Sequence, residues 1–292
     1  PVNLEWSDLE GYRSAIHKRG VAINIAPLVG HGTLRIASMG LLESAPTSEE
    51  LERMGELLNI SFKQGAFGMS TGLTYVPSRY APFDELIYLC KVIKAADRTY
   101  TSHARDYDIF GKDNFLGPLK EAFALARETG VRVQFSHAAI NDPALWGRAQ
   151  DWVDCFDSPD VKNLDVAFDV YPYNASSSAL TQYLPEWVQA GGVEAMSERL
   201  ADPDTFSRAE EELLLGWSAH KIKWFWDRIV IARGNSLLGV ENGDSIGVAA
   251  KKLDIAPENL VLELSRLGGN TVMVVLFYRT DEDMRTFARS KH

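Results

Sequence analysis

Two strand-like runs in this chain of 292 residues end in the same dipeptide, and that repetition narrows the fold more than any other feature. The first, Arg98-Thr-Tyr-Thr-Ser-His103-Ala-Arg-Asp106, carries His103; the second, Val131-Arg-Val-Gln-Phe-Ser-His137, ends on His137. Both are rich in β-branched and aromatic residues. Between them lies a helix-forming segment around Leu119–Glu128, closed by Gly130, a residue type that stops helices. Strand, helix and strand in that order make one βα unit. In a (β/α)8 barrel, neighbouring parallel strands deliver their C-terminal ends into one cavity, where catalytic groups collect. Two imidazoles there can hold one metal ion from adjacent strands, as hydrolytic zinc sites require. A histidine at a strand end can also cap the strand by bonding a loop, and for each residue taken singly that reading stays open.

The rest of the chain fits one α/β barrel. At 46% hydrophobic residues it can bury a large core. Its net charge of −10 argues against a nucleic-acid or anionic-membrane surface, and no apolar run is long enough to span a bilayer. The start, Pro1-Val-Asn-Leu-Glu-Trp6, has neither the basic residues nor the apolar stretch of a signal peptide. It also lacks an initiator Met, which suggests a fragment or a processed product. Cys90 and Cys155 stand far apart without metal-type spacing and read as buried thiols of a reducing, cytoplasmic compartment.

Strand candidates alternate with helices throughout. Val21–Ala26 and Gly65–Ser70 precede the two Ser-His runs; Val166–Tyr171, Arg228–Ala232 and Thr271–Phe277 follow them. Thr47-Ser-Glu-Glu50 is a capping box, and Phe83–Ala96 and Leu145–Phe156 read as further helices. This alternation predicts a mostly parallel sheet in a single domain, 1–292, with a helical insertion at about 181–227. An open doubly wound sheet is the rival, but no Gly-rich phosphate turn follows any strand.

A metal on His103 and His137 would need further ligands, from a carboxylate, a Cys or a modified Lys. Asp169 is the best strand-borne carboxylate after the histidines; an Asp hydrogen-bonded within a loop is the other reading. Arg105 and Asp106 read as a local ion pair. Two loops look built for a small polar substrate: Ser70–Pro77 with Gly72 and Tyr75, and Tyr171–Ser178 with its run of hydroxyls. Neither Ser70 nor Ser177 lies in a Gly-x-Ser-x-Gly elbow, which argues against serine catalysis. His31 reads as a ligand contact or a structural residue, and His17, His220 and His292 have no assigned role.

Six motifs then occur in a telling order: Gly30-His-Gly-Thr-Leu-Arg35, Ser70-Thr-Gly-Leu-x-Tyr75-x-Pro77, Ser102-His103-x-Arg105-Asp106, Ser136-His137, Asp169-x-Tyr171-Pro-Tyr173-x-Ala-x-Ser177 and Leu184-Pro-x-Trp187. Together they resemble the N-acyl-D-amino-acid deacylases (D-aminoacylases) of the metal-dependent amidohydrolase superfamily. The resemblance implies a TIM-like barrel and zinc-dependent hydrolysis of a small-molecule N-acyl-D-amino acid. It implies that His103 and His137 bind Zn2+, that Tyr75, Tyr171 and Ser177 contact substrate, and that Asp169 is a supporting residue. It also implies departures. The family's His-x-His pair and zinc-binding Cys would lie before Pro1, and its catalytic Asp after His292. Ala139 stands where the family often has a Lys, and Tyr107 where it has an acid. The expectation is therefore a partial TIM-like (β/α)8 barrel missing its first and last strands, an inactive fragment of a deacylase. The alternatives are a dihydroorotase-like cyclic amidase and a non-catalytic, degenerate barrel that binds a ligand or partner.

Overall fold

The structure, a computed structural model, describes residues 5–105, 115–217 and 222–292; Asp106, Tyr107 and His220 lie outside these. A five-stranded, wholly parallel sheet is built from β1 (Leu28–Gly30), β2 (Gly68–Gly72), β3 (Thr99–His103), β4 (Arg132–Phe135) and β5 (Val166–Phe168), paired in chain order. Each crossover carries helix, including Ser48–Lys63, Phe83–Ala95, Gly117–Thr129 and Ala149–Asp154. Consecutive parallel strands with helical crossovers form the arc of a partial TIM-like barrel.

Local chemistry explains these elements. Thr47 accepts from the Glu50 N–H while Glu50 accepts from the Thr47 N–H, the capping box that starts Ser48–Lys63. Gly130, in the left-handed region at φ 67°, ends Gly117–Thr129. Along β3 and β4 burial alternates: Tyr100, Ser102, Val133 and Phe135 are buried, and their neighbours along each strand are half-buried. Tyr100, Val133 and Phe135 pack with Leu89, Ile93, Leu119, Phe123 and Trp152 from the helices, so the sheet's other face carries Thr101 and His103.

The later strands depart from expectation. Arg228–Ala232 and Thr271–Phe277 do not extend the parallel sheet. As β7 (Ile229–Arg233) and β8 (Met273–Leu276) they join β6 (Ser176–Ala179) in an antiparallel sheet ordered β6-β8-β7. This sheet has its own core of Ile231, Val274 and Leu276 with Leu260 and Leu264, into which Tyr183, Trp217 and Trp224 also pack. A short apolar run reads alike in either sheet type, and the partner strand decides. The strand expected at Val21–Ala26 is also displaced: Val21, Ile23 and Ile25 are exposed, and pairing begins at Leu28, opposite Gly68. Gly30-His-Gly-Thr-Leu-Arg35 starts the helix His31–Met39, with Gly30 at its N-cap.

The end of the chain returns to the first core. Met284 and Phe287 of the helix Asp281–Ala288 pack there, and the buried Asp283 carboxylate accepts from the Gly147 and Ala149 N–H groups and the Thr280 hydroxyl. Asp283→Ala removes that acceptor and leaves the two amides unbonded, so thermal or urea unfolding should show a loss of about 1–3 kcal/mol; an unchanged midpoint would contradict this account of the tie.

Candidate metal centre

Parallel pairing brings His103 and His137 together. β2 sets Gly72 opposite His103, and β3 sets Ser102 opposite Phe135. The ladder runs on beyond the strands: Ser136 N–H donates to the Ser102 carbonyl and Leu73 N–H to the His103 carbonyl. His137 then takes φ 43°, in the left-handed region that few non-glycine residues enter. Asp169 holds it there. One carboxylate oxygen accepts from the His137 N–H at 2.6 Å and the other from the Gln134 amide at 3.0 Å, while the Asp169 carbonyl accepts from the Ala138 N–H.

The outcome is a nitrogen pair. His103 Nδ1 lies 3.1 Å from His137 Nε2, with ring centroids 4.7 Å apart and the planes nearly perpendicular. Thr74 Oγ1 lies 2.9 Å from His103 Nε2, within hydrogen-bonding distance, and fixes that ring from its far side. Burial pushes the His103 pKa down to about 3, helped by His137 and by the Arg279 cation. Burial also lowers His137, against the opposing pull of Asp169. Both imidazoles are therefore neutral at pH 7 and present lone pairs, the form a metal requires.

The geometry fits a shared ion. Two nitrogens bonded at about 2.0–2.1 Å in a tetrahedral arrangement stand roughly 3.4 Å apart, close to the observed separation. Among the described residues no group of three or more His, Cys, Asp or Glu side chains could hold an ion, so the pair accounts for two donors.

Two of the expected substrate residues stand beside this pair, and the third shares a cavity with one of them. The Tyr75 ring lies 5.0 Å from His103 and the Tyr171 ring 6.4 Å from His137. A Cβ at Gly72 would stand 2.6 Å from Tyr75 Cδ2, so only glycine lets that loop fold back. Ser177, in the middle of β6, lines with Tyr75 a cavity of about 430 Å³. Arg105 pairs with Glu121 and donates to the Arg79 and Ala81 carbonyls, which anchors the loop behind Tyr75; its expected partner Asp106 lies outside the described residues. His31 is wholly buried against Ser78 and Glu85, whose other oxygen takes Arg35, and this is a structural role. Ser102 belongs to a buried hydroxyl cluster with Thr71 and Tyr100.

Two residues of the site carry no sequence signal strong enough to find them. Thr74 sits unmarked inside the Ser70–Pro77 stretch. Arg279 is buried, lies 4.5 Å over the Tyr171 ring and donates from Nε to Asn141 Oδ1 at 3.0 Å. It arrives 108 positions after Tyr171 in sequence (279 − 171), and only the return of the chain from β8 places it here.

No family model matches this chain. It is 34% identical to a D-aminoacylase of Alcaligenes xylosoxydans xylosoxydans over 171 residues, which is 59% of this chain and 34% of that protein. An N-acyl-D-aspartate deacylase of the same organism is 34% identical over 181 residues, 62% of this chain and 35% of the relative. Among solved structures, an N-acyl-D-glutamate deacylase from Bordetella bronchiseptica, complexed with zinc and a phosphonate mimic of the tetrahedral intermediate, superposes with a TM-score of 0.72 at 25% identity. That match covers 96% of this chain and 49% of that one. A D-aminoacylase described as defining a novel subset of amidohydrolases gives 0.70 at 23% identity, over 95% and 48%. In sequence and in fold the chain is similar to the D-aminoacylases. It spans about half the length of these solved structures, and its matched stretch covers about a third of the curated relatives.

The electrostatics set a pH dependence. The unfolded chain protonates His103 near the ordinary value of 6.5, the folded chain only near 3. The unfolded state thus binds the proton first, and this contribution to stability is whole above about 6.5 and is lost as pH falls toward about 3. With a chelator present, the melting temperature should drop between about pH 7 and 5, and His103→Gln should flatten that slope. Equal slopes in the two proteins would contradict the burial argument.

Proposed function

We propose that this chain carries the two-histidine part of the zinc site of an amidohydrolase that cleaves the amide of N-acyl-D-amino acids. The observation that carries the reading is the 3.1 Å approach of His103 Nδ1 to His137 Nε2 at the ends of adjacent parallel strands, in a chain 34% identical to a D-aminoacylase. When bound, zinc would lower the pKa of its water toward neutrality and polarise the scissile carbonyl.

Within this scheme His103 and His137 are the metal ligands, with Thr74 and Asp169 as positioning residues that fix the two rings. Both Asp169 oxygens already accept hydrogen bonds, so Asp169 orients a ligand and does not serve as general base. Among the described residues no third His, Cys, Asp or Glu joins the pair as a metal donor. Tyr75 and Ser177 hold substrate from the shared cavity, while Tyr171 and Arg279 hold it from the His137 side. We read residues 181–227 as a helical insertion within a single domain, whose described helices Glu186–Gln189 and Gly192–Ala201 border the cavity that Tyr75 lines. The partner is a small molecule, and the free Cys90 and Cys155 suit the cytoplasm. Among the described residues no helix is long and apolar enough to cross a membrane.

In the full-length, zinc-loaded protein, His103→Ala and His137→Ala should each bring hydrolysis of an N-acetyl-D-amino acid to background. Asp169→Asn keeps an acceptor for the His137 amide but not the charge, and should cost about 10–100-fold in kcat. Tyr75→Phe should mainly raise KM. Activity that survives both histidine changes would refute the metal mechanism.

A further inference from the structure

The Gly30-His-Gly motif lies outside the metal centre, yet its histidine is bonded to the loop that carries Tyr75. His31 opens the helix His31–Met39 directly after β1, whose Gly30 lies opposite Ser70 of β2. Its Nδ1 is 3.0 Å from Ser78 Oγ and its Nε2 is 2.7 Å from Glu85 Oε1. The Glu85 carboxylate accepts from Arg35 through its other oxygen, and it accepts from His31 as well. His31 therefore donates from Nε2, which leaves Nδ1 to accept from the Ser78 hydroxyl. Gly32 approaches the same group: a Cβ there would stand 3.1 Å from Ser78 Oγ, closer than ordinary packing allows. Both residues of the His-Gly pair thus address Ser78.

Serine, histidine and carboxylate stand here in the order of a hydrolytic triad, and burial decides against that use. Ser78 is 4% exposed, Glu85 1% and His31 0%, so no substrate reaches the hydroxyl. The network reaches Tyr75 instead. That side chain is 44% exposed, so packing does little to fix its ring, and its place 5.0 Å from His103 depends on its backbone. The Tyr75 carbonyl accepts from the Arg79 N–H, and the Ser78 carbonyl from the Ala81 N–H. Both bonds belong to the turn Ser78–Tyr80, which leads into the helix Phe83–Ala95 that carries Glu85. His31 joins that turn to that helix. A buried network whose every member has a partner leaves few other arrangements, because breaking one bond strands a charge or a polar group.

We propose that His31 is a positioning residue for Tyr75: through Ser78, and backed by Glu85 and Arg35, it fixes the turn that sets the Tyr75 ring beside the histidine pair. The proposal rests on the deacylase reading above and adds to it the residues that place one of its substrate contacts.

The test uses the full-length, zinc-loaded protein and has two readouts. In kinetics on the N-acetyl-D-amino acid it hydrolyses fastest, Ser78→Ala should raise KM about 5–20-fold and leave kcat within about threefold. In a Tyr75→Phe background the same change should move KM by less than about twofold, because the contact it displaces is already gone. The second readout needs no turnover. The Tyr75 ring current marks the imidazole protons of His103, and NMR of histidine-labelled protein should show Ser78→Ala moving those resonances toward their positions in Tyr75→Leu. His31→Gln keeps an N–H for Glu85 but offers Ser78 no ring nitrogen; it should act in the same direction, and it covers the case in which Ser78→Ala fails to fold. An equal KM loss in both backgrounds, or His103 resonances that neither folded variant moves, would overturn the proposal. Moved resonances in a protein that hydrolyses no N-acetyl-D-amino acid would sink the deacylase reading and leave this one standing; hydrolysis with unmoved resonances would do the reverse.

Discussion

The pairing of β3 with β4 is the constraint on which the rest of the site depends. Ser102 opposite Phe135 puts His103 and Ser136 at the same level along the sheet, and one further residue, bent into the left-handed region, swings His137 inward. A slip of one residue in either strand would send its side chains to the opposite face. The hydroxyl cluster of Thr71, Tyr100 and Ser102 on the helix side resists such a slip, because its members lose their partners together.

Electrostatics then prepares the pair. Two nitrogens 3.1 Å apart would repel strongly if both rings were charged, and burial removes that state by holding both pKa values low. Arg279 acts in the same direction. The cation therefore helps to keep both imidazoles neutral, and under the proposed reading it also offers positive charge to an anionic substrate. Asp169 opposes it at His137 while fixing that residue's backbone, so the strain of the left-handed turn is offset by a short hydrogen bond.

Much of this was legible in the sequence, for a physical reason. The Ser-His repeat works as a signal because strand alternation ties the last residue of each run to a face, and the intervening helix enforces parallel pairing. The Thr47 capping box and the Gly130 helix stop are local, and the structure has both. What failed was non-local. Ile229–Arg233 and Met273–Leu276 have the composition of barrel strands, yet their partner is β6 and each other. Val21–Ala26 has strand composition without a neighbour to pair with. Arg279 and Thr74 could not be singled out because a lone Arg or Thr carries no periodicity, and only tertiary structure brings them to the histidines.

The account stands on one claim, that His103 and His137 bind the same ion. X-ray absorption at the zinc edge, on the full-length protein loaded with one equivalent of zinc, tests it most directly. The account predicts two imidazoles per zinc with a nitrogen shell at about 2.0–2.1 Å, and the loss of one imidazole in His103→Ala and of one in His137→Ala. A spectrum with no imidazole scattering, or one that neither substitution changes, would contradict it.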